Sequence, residues 1–171
     1  HLPSSKIIHT RRNPLDNLLS IYRAGLPTFY TSNLEETARI IILQEAAMAE
    51  YKKQWPSNIY TLKYENLVDS TRNTLTELIN WIGLSWDENY LYSEKNKGPI
   101  STASLYQARK PINKSSVNGW KNYASMLEQA RVLIKKSGLF EDYNLQKYNQ
   151  FAKPQNQSAT IKSLSAYGSE E

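Results

Sequence analysis

Apolar residues enter this chain as short runs first and as helical stripes afterwards. Ile7 and Ile8 make a brief strand-like run that ends at Arg11 and Arg12. The next residues read as a helix start, with Asn13 as cap, Pro14 at the first position and Asp16 where a capping-box partner sits. The pattern predicts a helix from Pro14 to about Ala24, stopped by Gly25 and Pro27. Ser32 and Glu35 form a second capping-box pair, and Leu34, Ala38, Ile41, Ile42, Met48 and Trp55 recur near helical spacing until Pro56. Asn58 to Leu67 is rich in aromatic and β-branched residues, which predicts a second buried strand over Ile59 to Tyr64. Each strand leads straight into a helix, as in parallel α/β units.

Asp69 or Ser70 then caps a helix with Leu75, Leu78, Ile79 and Ile82 on one face and Gly83 at its left-handed close. Ser85 with Glu88 predicts a short helix through about Tyr92. Between Lys95 and Trp120 no period survives, and a loop of about 25 residues is of the length that usually carries function. A last helix, from about Tyr123 to Lys136, turns Met126 or Leu127, Ala130, Leu133 and Ile134 inward and ends at Gly138. The folded part is therefore expected over residues 1–148, with 149–171 as a polar, flexible tail. The chain opens at His1 and reaches a strand almost at once, so it reads as a piece of a longer polypeptide, which leaves its compartment open.

Composition narrows the chemistry. The length of 171 residues suits one domain, and 21 Lys and Arg against 16 Asp and Glu give a net charge of +5 that favours anionic ligands. The nearest things to basic clusters are Arg11-Arg12, Lys52-Lys53 and Lys135-Lys136, too short for a nucleic-acid-binding arm. Without cysteine there is no disulfide framework, thiolate metal site or cysteine nucleophile, and His1 and His9 alone do not suggest a metal cluster. The longest apolar run, Ile40 to Leu43, is far from a membrane span. The strand-to-helix junction at Arg11 and Arg12 is the most pointed chemistry. There, helix dipole, first-turn amides and guanidinium charge could converge on a phosphate, or the two arginines could be plain surface residues.

Three runs in order, KIIHTRRNPLDNLLS, YTLKYENLVDSTRNTLTELINWIGL and TASLYQARKPINKSSVNGWKNY, resemble the C-terminal portion of a sulfotransferase domain. The resemblance is closest to the tyrosylprotein-like and tetratricopeptide-linked bacterial branch. It implies a partial P-loop-like α/β fold, helix-rich with few parallel strands. It also implies 3′-phosphoadenosine 5′-phosphosulfate as sulfonyl donor, adenosine 3′,5′-bisphosphate as product, and a hydroxyl or amine as acceptor. Matched by motif, Arg12 and Ser20 would bind the 3′-phosphate and Tyr64 would meet the nucleotide. Ser104 would approach the phosphosulfate as both a binding and a catalytic residue, and Pro111 and Trp120 serve as landmarks.

Two departures from the family pattern stand out. Gly119 occupies a position where this branch usually has lysine or arginine, and the six glycines form no phosphate-cradling loop. No general base is evident, so one is expected upstream of His1. The chain is then expected to supply the 3′-phosphate-binding half of a transferase and to be inactive alone. The alternative is a non-catalytic nucleotide-binding or helical interaction module of the same descent. Exposed edges of two parallel strands would favour a homodimer or pairing with the N-terminal half.

Overall fold

The computed structural model describes residues 5–25, 31–95 and 110–146; Ser104 and the stretch 149–171 lie outside them. Strands β1 (Ile7–Arg11) and β2 (Ile59–Lys63) pair in parallel, in register from Ile7 opposite Ile59 to Arg11 opposite Lys63. Parallel strands need a long crossover. Here it is made by α1 (Pro14–Ala24) and α2 (Leu34–Gln54). After β2 come α3 (Tyr64–Asp69), α4 (Thr71–Ile82) and, further on, α5 (Glu128–Lys136). Helices flank both sheet faces. From α2, Glu45 and Lys52 reach His9, Arg11 and Thr61 on one face, while on the other Trp81 of α4 stacks 5.4 Å from Tyr60. The result is a helix-rich, partial α/β architecture, as the family resemblance implied, with the parallel strands that the strand–helix alternation predicted.

Local chemistry sets the helix ends, though not always with the predicted residue. Asn13 caps α1 as expected, its side chain accepting from Leu15 N–H at 3.0 Å and Asp16 N–H at 3.3 Å. The cap of α2 is Asn33 rather than Ser32, because Asn33 Oδ1 takes both Glu35 and Glu36 N–H. Likewise Asp87, not Ser85, caps the 3₁₀ turn Glu88–Leu91 by accepting from Asn89 N–H at 2.8 Å. Gly83 closes α4 with φ of +89°, where a side chain would be strained. The last helix is shorter than its pattern: the residues before it form a 3₁₀ turn, Gly119–Tyr123, and α5 begins only at Glu128.

The main core lies where α1, α2 and α5 meet, around Leu15, Leu18, Ile41, Leu127 and Ile134, with Trp120 plugged among them. Leu127 takes the inward place and Met126 is exposed, which resolves the two-way reading of that turn. Ile7 and Ile8 remain 48% and 41% exposed, since among the described residues β1 has a hydrogen-bonded neighbour on one side only.

Arg11 fastens the sheet to its surroundings. Its Nε lies 2.9 Å from Glu45 Oε1, Nη1 donates to Asp142 Oδ2 at 2.8 Å, and Nη2 donates to the Leu139 carbonyl at 3.2 Å. The guanidinium also faces the rings of Phe140 and Tyr143, and Lys63 Nζ sits 2.6 Å from the same Asp142 oxygen. Burial alone would raise the Asp142 pKa, but the bonds from Lys63 and Arg11 outweigh it and hold the carboxyl below the usual carboxylate range.

Two stability predictions follow from this packing. Ile134→Ala should cost about 2–5 kcal/mol in urea unfolding, whereas Val132→Ala on the exposed face should stay within about 0.5 kcal/mol. Arg11→Ala should cost about 1.5–3 kcal/mol at neutral pH by removing charged hydrogen bonds. Because the folded Asp142 pKa is depressed, its stabilisation is present above about pH 4 and lost as pH falls through the folded value. Stability of Arg11→Ala should therefore fall less steeply on acidification than that of the wild type; matching acid limbs would contradict the network.

Candidate functional site

The parallel register decides which residues can meet. One step beyond the paired ends Arg11 and Lys63, Arg12 and Tyr64 become neighbours, and one step further Asn13 meets Glu65. The Arg12 guanidinium carbon sits 4.8 Å from the Tyr64 ring centroid, a cation–π arrangement. Arg12 Nη2 donates to the Ser116 carbonyl at 2.9 Å, while its Nε is buried and meets no hydrogen-bond partner among the described residues. Tyr64 is half-buried, and its hydroxyl donates to the Asn113 carbonyl at 3.4 Å. Asn13 N–H donates to Glu65 Oε1 at 2.8 Å, tying the end of β1 to the end of β2.

The anion cradle suggested by the sequence is thus divided. Arg11 points to α2 and is engaged there, so only Arg12 faces the junction. The first-turn amides of α1 are not open either. Leu15 and Asp16 N–H go to Asn13 Oδ1, Asn17 N–H goes to the Asn13 carbonyl, and Pro14 has none. What the helix end still offers is its positive dipole beside Arg12.

Ser20 is exposed on α1, and no described contact joins it to Arg12 or Tyr64. Its place on the helix is informative all the same. Asn13, Asp16 and Ser20 are spaced three and four residues apart, so they form one stripe, with Ser20 one turn beyond Asp16. Ser104 lies outside the described residues. Gly119 brings no side-chain cation to the turn, and nearby Lys114 pairs with Asp69 at 2.5 Å.

Two residues gain roles that the sequence alone did not show. Glu65 fills the capping-box position by accepting the Asn13 amide, across a sequence gap with no local signature. That frees Asp16, which instead accepts Asn118 N–H on Oδ2 at 2.7 Å and Trp120 N–H on Oδ1 at 2.8 Å. Burial pushes the Asp16 pKa up, against the pull of those amides and of Arg12, with Glu65 adding to the rise. A buried acid at the third helical position is the one signal that could have marked it. Chemically, the assembly presents a guanidinium over an aromatic ring, with one donor unpaired among the described residues, at the end of a parallel strand pair and next to a helix start and a polar turn. Among the described residues no cluster of His, Asp or Glu is arranged to hold a metal. No helix of the described residues is long and apolar enough to cross a membrane.

Comparison with known proteins gives the family. The model of the sulfotransferase family matches residues 1–88, just over half of the 171-residue chain, and the match takes in Arg12, Ser20 and Tyr64. An uncharacterized protein of Aquifex aeolicus (strain VF5) is 30% identical over 152 residues, covering 85% of this chain and 20% of that protein. The chain thus spans about a fifth of the length of that relative. On the strength of the family match, this chain belongs to the sulfotransferase family.

Proposed function

We propose that this chain forms the 3′-phosphate-binding side of a sulfotransferase site. In the complete reaction an acceptor hydroxyl or amine attacks the sulfur of 3′-phosphoadenosine 5′-phosphosulfate, the bond from sulfur to the bridging phosphate oxygen breaks, and adenosine 3′,5′-bisphosphate departs. The acceptor proton passes to a base that this reading assigns to the longer protein. The observation that carries the reading is Arg12. Its guanidinium lies over the Tyr64 ring and is steadied by the Ser116 carbonyl, yet its buried Nε meets no hydrogen-bond partner among the described residues. Such a group suits a phosphate oxygen, because charge-assisted and planar contacts to phosphate are strong and directional.

In this reading Ser20 adds a hydroxyl donor from the stripe of α1 that faces the same junction, and the α1 dipole favours the negative charge. Tyr64 acts from beneath, orienting Arg12 and lending an aromatic surface to the nucleotide. Ser104, carried over by family resemblance alone, would donate to the phosphosulfate oxygens as negative charge grows on the leaving phosphate. Binding energy gained at the 3′-phosphate would be used to place the donor in line for attack.

Calorimetric titration of adenosine 3′,5′-bisphosphate into the chain tests the reading. Saturable binding is expected, with Arg12→Ala weakening it by about 30-fold or more and Ser20→Ala by about fivefold. Adenosine 5′-monophosphate should bind more weakly and be indifferent to Arg12→Ala. Equal binding of both nucleotides would remove the 3′-phosphate assignment, and no binding of either would favour a non-catalytic module of the same family.

A further inference from the structure

We infer that Asp16 is a positioning residue of this site. By gripping the backbone of Asn118 and Trp120, its buried carboxylate holds the 116–120 turn where the Ser116 carbonyl sets the Arg12 guanidinium for the nucleotide's 3′-phosphate. The inference rests on the 3′-phosphate reading and concerns how that site is kept in shape.

Burying an ionisable carboxylate is costly unless its oxygens are well bonded, and Asp16 is only 3% exposed. Each oxygen has one strong partner, both partners are backbone amides, and both come from one turn more than a hundred residues away in sequence. That turn is shaped for an anion. Asn118 takes a left-handed conformation, with φ of +62°, and its N–H and that of Trp120 point to the same carboxylate, as in a backbone nest. The anion in the nest is a side chain of α1.

Lack of space does not force this geometry. A Cβ built on Gly119 would lie 3.7 Å from Asp16 Oδ1, an ordinary contact. Nor is Asp16 needed as a cap, since Glu65 takes the Asn13 amide and Asn13 itself takes the amides of the first turn. The carboxylate is therefore available to fix the turn, and its charge also attracts the Arg12 guanidinium. At one end the turn is anchored by the Trp120 side chain, 1% exposed in the core, and at the other it delivers the Ser116 carbonyl to Arg12 Nη2. A released turn would cost Arg12 its hydrogen bond to the Ser116 carbonyl and leave the guanidinium to the Tyr64 ring and the attraction of the Asp16 charge, neither of which fixes the direction of its N–H groups.

Asp16→Asn separates positioning from simple stabilisation, because the amide keeps one acceptor but turns an N–H₂ group toward a backbone donor. In the full chain, bisphosphate affinity should fall by roughly tenfold while adenosine 5′-monophosphate affinity changes by less than about twofold. In an Arg12→Lys background, which lacks the planar fork, the Asp16→Asn effect should shrink to under about threefold. Amide hydrogen exchange should show Asn118 and Trp120 losing protection. Faster exchange at both amides with unchanged bisphosphate affinity would overturn the inference and leave the 3′-phosphate reading standing. Absence of bisphosphate binding in the wild type would remove that reading and the inference with it. Should Asp16→Asn fail to fold, the wild type decides: by linkage, saturating bisphosphate must slow exchange at Asn118 and Trp120, and unaltered exchange overturns the coupling.

Discussion

A parallel strand pair cannot turn back on itself, and this constraint organises the rest of the molecule. Because β1 and β2 run the same way, both carry their next residues to the same end of the sheet, and the register from Ile7 with Ile59 to Arg11 with Lys63 makes neighbours of Arg12 and Tyr64. Open α/β sheets bind ligands at that end of their strands. The same geometry brings the Asn13 amide to Glu65, and that bond locks the two strand ends together just where α1 and α3 begin. Arg12 and Tyr64, the two candidate binding residues that meet in the structure, sit beside this closure.

The two adjacent arginines show how much a strand end can do with alternation. Arg11 shares the face of His9 and spends its charge on Glu45, Asp142 and the Leu139 carbonyl, all of them internal. Arg12, one position on, leaves the strand and meets Tyr64 and Ser116 instead. Identical side chains thus take opposite tasks because the backbone turns between them. A basic pair in sequence is not a basic patch in space.

What the sequence shows well is whatever depends on near neighbours. The first helix, the Asn13 cap, the Pro14 start and the Gly83 stop are local, and they stand in the structure where the pattern put them. The two strands and their parallel sense follow from the same local alternation with helices. Caps failed by one or two residues at Ser32 and Ser85, where Asn33 and Asp87 compete for the same amides with a better-placed oxygen. Least legible were the contacts of Asp16 and Glu65, since their partners are set by register and by a distant turn. Ser20 was legible only as a motif position, and the structure adds the stripe it shares with Asn13 and Asp16.

Gly119 looks, from the sequence, like a lost cation, and the structure gives that position a different meaning. The turn there is arranged around the Asp16 carboxylate, so a positive side chain beginning 3.7 Å from Oδ1 would be drawn to Asp16 before any ligand. Glycine leaves the carboxylate to the two backbone amides, which are fixed dipoles and lose no side-chain entropy on forming the contact. The turn is then held by main-chain geometry at one end and by the buried Trp120 at the other. Its link to Arg12 through the Ser116 carbonyl ties the guanidinium to core packing as well as to local charge.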